Sequence, residues 1–209
     1  MVKNNKKSAI VFPENLKKFV YFDSITSLIR EVKDNNFKTK EIVFVVGNFD
    51  KKGTIKYGLY SNNRNLITEL IYDEIKQTIL PSHNQISVFQ TKIGSKFGFI
   101  LADGTVFATP KYDEIKEINS SKNNYEKMIQ TKFDNQYGLL FSNNNSIVFV
   151  EAFSPYQIQD IIKNYPEQSN QILPEQRVTK KPISLISLKD ANGKFVGYAS
   201  TNGQQFFKN

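Results

Sequence analysis

The chain has 209 residues, of which 13% are aromatic, and it contains one histidine but no cysteine and no tryptophan. Disulfides, thiolate sites and metal centres built from several histidines are therefore excluded. The formal net charge is +8, and the basic excess is concentrated in residues 1–40 and 175–209, whereas the middle of the chain is nearly neutral. This distribution argues against nucleic acid as the partner of the central body, because nucleic-acid binders concentrate positive charge on their recognition surface.

No apolar run has the length of a membrane span, and residues 1–18 contain lysines but no apolar core of signal-peptide length. We therefore expect a cytoplasmic protein without a membrane span. A leader removed upstream of this numbering is the alternative.

Residues 1–40 are predicted to form an N-terminal cap that contains a partial repeat and a helix. The partial repeat ends in Phe22-Asp23-Ser24-Ile25, which resembles a Tyr-Asp-Glu-Ile motif that occurs twice further on. Apolar residues at positions 25, 28, 29 and 32 follow the i, i+3, i+4, i+7 spacing of an amphipathic helix. The spacing predicts a helix over 25–37.

The central part of the chain repeats itself. The aromatic–Gly pairs Tyr57-Gly58, Phe97-Gly98 and Tyr137-Gly138 are each 40 residues apart, and Tyr72-Asp73 and Tyr112-Asp113 keep the same interval. A fixed period held at separate landmarks predicts an array of repeats. The three units are assigned to residues 41–80, 84–120 and 124–163.

Each unit is interpreted as short strands joined by turns. Asp103-Gly104 predicts a two-residue hairpin turn, because Gly tolerates positive φ. Asparagines take its place in the neighbouring units, at Asn62-Asn63 and Asn143–Asn145. Pro110 predicts the end of pairing, because it has no N–H to donate. The Gly of each aromatic–Gly pair predicts a close approach of strands or a bulge.

A second helix is predicted after the third unit, with Ser154 as its cap, Pro155 at its first position and Tyr165-Pro166 at its end. Residues 164–182 are polar and predict a linker. Residues 183–209 then form a degenerate C-terminal repeat, with Asn202-Gly203 as its turn.

These features predict a mainly β protein, an array of antiparallel meander or hairpin repeats of about 40 residues with two short flanking helices. An open twisted stack is the first choice, and a small propeller is the alternative, because a period of this length also fits propeller blades.

The order aromatic–Gly, hairpin turn, Pro-x-Tyr-Asp-x-Ile resembles the bacterial WG-repeat family. Phe97-Gly98, Asp103-Gly104 and Pro110–Ile115 match its pattern well, although Tyr or Phe stands where family units carry Trp. The third unit departs further, with Ala152-Phe153 in place of Tyr-Asp. The resemblance implies a β-rich repeat array that works as a binding or scaffolding module.

Five residues are candidates for binding. Tyr57, Phe97 and Tyr137 share one landmark, so they are expected to form core if buried and a recognition stripe for a peptide or sugar if exposed. Asp73 and Asp113 are expected to cap turns, with cation or basic-partner binding as the alternative. Structural roles are favoured for all five. No catalytic residue, metal ligand or cofactor is predicted.

The absence of a catalytic motif, together with the repetition, indicates a non-catalytic protein-interaction module of a bacterial or phage-infected cell. It would act on another protein as an adaptor, inhibitor or immunity-like binder. Carbohydrate or cell-surface binding through the aromatic row is the alternative. A glycan-acting enzyme using the repeated carboxylates is the third hypothesis, disfavoured because repeated copies offer no asymmetric environments for an acid and a base.

Overall fold

The computed structural model describes most of the chain, and every described element is a strand. No helix occurs in this part, so none could cross a membrane there. The described residues are 7–12, 15–29, 42–61, 65–79, 87–119, 127–143, 146–163, 184–201 and 204–207. The predicted linker and the predicted turns at Asn62-Asn63 and Asn202-Gly203 lie outside them.

The described strands form five antiparallel sheets in chain order. Sheet A has two strands and sheets B and C have four each, every strand pairing with its neighbours in sequence. Sheet A comprises β1 (Ser8–Phe12) and β2 (Asn15–Phe22). Sheet B comprises β3 (Ser24–Ile29), β4 (Val43–Phe49), β5 (Ile55–Ser61) and β6 (Asn65–Leu66). Sheet C comprises β7 (Glu74–Ile79), β8 (Ser87–Ile93), β9 (Lys96–Leu101) and β10 (Val106–Tyr112).

Sheets D and E repeat this four-stranded arrangement. Sheet D comprises β11 (Glu114–Asn119), β12 (Lys127–Phe133), β13 (Gln136–Asn143) and β14 (Ser146–Ser154). Sheet E comprises β15 (Gln157–Lys163), β16 (Ser184–Lys189), β17 (Phe195–Ser200) and β18 (Gln205–Phe207). The protein is therefore mainly β, as predicted.

The described residues divide into two compact units, with the main division after Glu114. Sheets A, B and C belong to the first unit. Sheets D and E make up the second.

In the first unit, both faces of sheet B are buried. Side chains alternate along a strand, so Val43 and Val45 of β4 pack into one cluster with Ile75 and Phe89 of sheet C. Val46, on the opposite face, packs into another cluster with residues of sheet A. Burial of such side chains contributes about 1.5–3 kcal/mol each relative to exposure. Stacking of sheets on both faces is therefore what makes the apolar strand β4 stable.

In the second unit, one core joins sheets D and E. Leu139 and Phe153 of sheet D pack there with Ile158, Ile161 and Ile186 of sheet E. Sheet D thus depends on its neighbour for burial of one apolar face.

The helix predicted to begin at Ile25 is wrong over residues 25–29, which form β3. The register shifts at Thr26, so that Ile25 lies opposite Val46 and Leu28 lies opposite Phe44. This β-bulge inserts one extra residue into β3. Val46 and Phe44, which are two residues apart on β4, therefore lie opposite Ile25 and Leu28, which are three residues apart on β3. The i, i+3 spacing therefore came from a bulged strand. The rest of that predicted helix, residues 30–37, lies outside the described residues.

The second predicted helix, after Pro155, is wrong over residues 157–163 for the same reason, and its predicted end at Tyr165-Pro166 lies outside the described residues. Strand β15 has a bulge at Gln159, which places Ile158 opposite Leu188 and Ile161 opposite Ile186. Both isoleucines reach the core of the second unit. A helical spacing of apolar residues is again produced by an inserted residue in a strand.

A turn forms at Asp103-Gly104 as predicted, but its loop contains three residues, 102–104, and not the predicted two. Gly104 has φ 88°, its N–H donates to the Leu101 carbonyl over 3.0 Å, and Leu101 N–H donates to the Thr105 carbonyl over 2.9 Å.

The prediction that Pro110 ends pairing is wrong, because β10 continues to Tyr112. Strand β10 is the edge of sheet C, where a missing N–H can be tolerated.

The sheets begin at a different point from the predicted units. The strand that follows each Tyr-Asp pair, β7 after Asp73 and β11 after Asp113, is the first strand of the next sheet. The sequence assigned that strand to the end of the preceding unit.

Two buried threonines generate a stability prediction. The hydroxyls of Thr91 and Thr131 have no hydrogen-bond partner among the described residues, and each threonine lies opposite the Gly of an aromatic–Gly pair. In sheet B the corresponding residue, opposite Gly58, is Val46, which has the shape of threonine without the hydroxyl. Thr91→Val should therefore raise the melting temperature, because an unpaired buried hydroxyl costs about 1–3 kcal/mol. Thermal unfolding should show the opposite change for Thr91→Ser, which keeps the hydroxyl and loses the methyl group. A lower melting temperature for Thr91→Val would contradict this account.

Candidate functional site

The three aromatic candidates occupy the third strand of their sheets: Tyr57 in β5, Phe97 in β9 and Tyr137 in β13. Tyr57 exchanges backbone hydrogen bonds with Tyr72, at 2.7 and 3.2 Å, and Phe97 lies opposite Tyr112. The aromatic–Gly and Tyr-Asp motifs therefore meet through their backbones in sheets B and C.

The Gly after each aromatic residue lies where another chain segment passes very close. A Cβ atom at Gly98 would lie 2.5 Å from the Ala108 carbonyl oxygen and 2.7 Å from the Pro110 nitrogen, and one at Gly58 would lie 2.8 Å from the Glu69 carbonyl oxygen. Only Gly permits this approach without a backbone shift. The predicted close approach is confirmed at these two positions.

Asp73 joins sheet B to sheet C. Its Oδ1 accepts from Lys56 Nζ of β5 over 2.5 Å, and its Oδ2 accepts from the Gly94 N–H after β8 over 2.6 Å. Its own N–H donates to the Lys92 carbonyl over 2.8 Å. The hydrogen bonds from Lys56 and Gly94 lower the pKa of the Asp73 carboxyl below its ordinary value of 3.8.

Related contacts recur at the other sheet junctions of the first unit. Asp113 forms an ion pair with Lys96. Asp23 accepts from the Phe49 N–H over 3.0 Å and lies 3.6 Å from Lys7 Nζ. Asp23 thus links the start of sheet A to sheet B, as Asp73 links sheet B to sheet C, whereas Asp113 pairs with a lysine of sheet C.

A cleft of about 490 Å³ lies beside Asp73 in the first unit. It brings together two of the five candidate residues, Tyr57 and Asp73. Its lining comprises Thr26, Tyr57, Asp73, Glu74, Ile75, Lys92 and Gly94. Thr26 is the bulged residue of β3, and bulges commonly redirect a side chain near functional sites.

The other candidates lie elsewhere. Phe97 is half-buried, with Lys92 Nζ 5.6 Å from its ring centroid. Tyr137 is buried, and its hydroxyl accepts from Gln157 Nε2 over 2.9 Å. Asp113 is an exposed ion-pair partner. The aromatic row is therefore neither uniformly buried nor uniformly exposed.

Both carboxylates that line this cleft are paired with lysines. Asp73 is held ionised by Lys56, and its pKa is lowered, which is the opposite of what a general acid requires. Glu74 is paired with Lys76 over 2.6 Å. Among the described residues no group of three His, Cys, Asp or Glu could hold a metal ion.

Several contacts were missed by sequence reasoning. Asp50 accepts from the N–H groups of Lys52 and Thr54, and Asp190 accepts from those of Asn192 and Lys194. Gly53 and Gly193 follow with positive φ. The repeated Asp-x-x-Gly spacing was the signal that could have revealed these two turns.

Comparisons of the chain with protein-family models, with curated proteins and with solved structures found no match.

The Asp73 contacts predict a pH-dependent contribution to stability. Because the folded-state pKa lies below the unfolded value, the contribution is present above about pH 4 and is lost as the pH falls through the folded pKa. Asp73→Asn should lower the free energy of unfolding at neutral pH by about 1–2 kcal/mol, and the difference from the unmodified protein should shrink in acid. Urea unfolding at several pH values measures it.

Asp113→Asn is the matched control, because Asp113 holds the corresponding lysine but its side chain is 52% exposed against 31% for Asp73. Its effect should stay below about 1 kcal/mol, as for other surface ion pairs. Equal losses for the two variants at every pH would contradict the role assigned to Asp73.

Proposed function

We propose that this protein is a non-catalytic protein-interaction module of a bacterial or phage-infected cell, acting as an adaptor, inhibitor or immunity-like binder. The observation that carries the proposal is the position of its exposed apolar side chains. Single exposed apolar residues are common on protein surfaces. Their recurrence at one structural position supports a shared role in binding.

Phe49, Ile93 and Phe133 are each the last residue of the second strand of their sheet, in β4, β8 and β12. Their exposed fractions are 59%, 39% and 38%. Polar side chains are common at the exposed end of a hairpin, so the repeated choice of apolar residues there favours contact with a partner.

In the first unit, Phe49 and Ile93 belong to the same end of two adjacent sheets. Lys56, which lies opposite Asn48 beside Phe49, binds one oxygen of Asp73, and Gly94, which follows Ile93, donates to the other oxygen. A single carboxylate thus ties the two hairpin ends together, and a partner could contact both side chains at once.

The same end also carries positive charge. Lys51 and Lys52 are exposed in the turn that follows Phe49. Apolar and basic groups together suit a partner surface that combines apolar and acidic side chains. Aromatic and basic groups at such a position also resemble the composition of interaction hot spots.

We further infer that sheets B to D derive from one repeat unit related to the WG-repeat family, stacked as an open twisted array or closed as a small propeller. Support comes from the shared place of Tyr57, Phe97 and Tyr137 in the third strand of three sheets. A stack of like units offers its hairpin ends as a continuous binding surface.

The proposal is tested by photo-cross-linking in the protein's native cells. A benzophenone-bearing phenylalanine analogue would replace Phe49 in one variant and Ile93 in another. The expected result is one protein captured by both variants, because the two positions share one end of the unit.

Replacement of Tyr198 supplies the control, since it is 39% exposed but lies in β17 of the other unit. Capture of different proteins at positions 49 and 93, or of the same proteins at position 198, would contradict the proposal. Absence of any cross-linked protein would also count against it.

A further inference from the structure

The ring at the aromatic–Gly landmark has different surroundings in each sheet. In sheet C, Lys92 lies opposite Phe97 and places its ammonium 5.6 Å from the ring centroid. In sheet D, Lys132 lies opposite Tyr137 at 5.8 Å from the ring centroid. Cation–π contacts of this kind stabilise the exposed face of a ring.

In sheet D the ring at this position, Tyr137, is buried. Gln157, the first residue of β15, donates its side-chain N–H to the Tyr137 hydroxyl over 2.9 Å. Both the ring and the hydroxyl of Tyr137 are therefore satisfied within the protein.

In sheet B no side chain lies opposite the half-buried ring at the corresponding position, Tyr57. The residue opposite Tyr57 is Gly47, which has no side chain to reach over the ring. A Cβ atom at Gly47 would lie 2.9 Å from both Cδ1 and Cε1 of Tyr57, so the ring edge rests on the Gly47 backbone. The half-buried ring then lines the cleft beside Asp73.

The lining of the cleft indicates the chemistry of a ligand. Tyr57 and Ile75 supply apolar contact, and the bulged Thr26 supplies a hydroxyl. The Asp73 carboxylate has about four acceptor sites, of which Lys56 and the Gly94 N–H use two. Acceptors that remain beside an aromatic ring suit a ligand with both a C–H face and hydroxyl donors.

The charges of the cleft favour a neutral ligand. Asp73 is compensated by Lys56, and Glu74 lies directly opposite Lys92 in the pairing of β7 and β8 and is paired with Lys76. Both carboxylates of the cleft therefore already have a lysine partner, and the Lys92 ammonium lies over the Phe97 ring. The volume of about 490 Å³ lies in the range of small-ligand sites.

We propose that this cleft binds a neutral saccharide unit, with the sugar's C–H face on the Tyr57 ring and its hydroxyls on Asp73 and Thr26. The cleft adjoins the hairpin ends assigned to the protein partner, because Gly94 follows Ile93, but neither Phe49 nor Ile93 is among the residues that line it. Sugar binding and protein capture are therefore tested at different side chains, and either assignment can fail without the other.

The test is a two-dimensional amide NMR titration of the full chain with maltose, cellobiose, lactose and N,N′-diacetylchitobiose. At least one sugar should give saturable shifts that include the amides of Tyr57, Asp73 and Gly94. Tyr57→Leu keeps an apolar side chain against the core and should weaken that binding about tenfold or more through loss of the ring. Glucosamine and glucuronate, which carry charge, should bind more weakly than glucose.

Phe97→Leu is the matched control, because it makes the same kind of change at the same position of the next sheet. It should leave the titration unchanged, and both variants are to be checked for a native amide spectrum. No saturable shift with any sugar would overturn the proposal, as would equal weakening by both variants. Stronger binding of either charged sugar would overturn the assignment of a neutral ligand.

Discussion

The passage of one chain segment over a glycine is the constraint on which sheets B and C depend. In sheet C the edge strand β10 approaches Gly98 so closely that a Cβ atom would lie 2.5 Å from a carbonyl oxygen, and Gly58 of sheet B is approached in a similar way. This approach brings Tyr72 and Tyr112 into register with Tyr57 and Phe97. It thereby sets where each Tyr-Asp pair leaves one sheet and enters the next.

The aspartate that follows then ties neighbouring sheets together. Asp73 receives a lysine from sheet B and a backbone N–H from sheet C, while apolar clusters bury the faces between the sheets. The proposed functions depend on side chains that these contacts between sheets do not bury. Exposed apolar residues at hairpin ends suit a protein partner, and the half-buried ring of Tyr57 in the cleft suits a small neutral ligand.

Sequence could predict features that depend on local chemistry. The turn at Asp103-Gly104 follows from the backbone freedom of Gly, and the role of the Gly in each aromatic–Gly pair follows from its missing Cβ. The bulges at Thr26 and Gln159 could not be predicted, because an inserted residue gives strands β3 and β15 the apolar spacing of helices. The ion pair of Lys56 with Asp73 and the cleft beside it depend on how two sheets stack, which no single segment encodes.

We infer that glycine is required at position 98 because the backbone of β10 passes very close to it, and not because a turn needs its conformational freedom. The most direct measurement compares the free energy of unfolding of Gly98→Ala with that of Gly94→Ala by denaturant titration. Gly94 has a positive φ but open space around its Cβ position. We predict that Gly98→Ala costs about 2–3 kcal/mol or prevents folding, whereas Gly94→Ala costs about 1 kcal/mol through backbone strain alone. A Gly98→Ala variant as stable as Gly94→Ala would contradict the account.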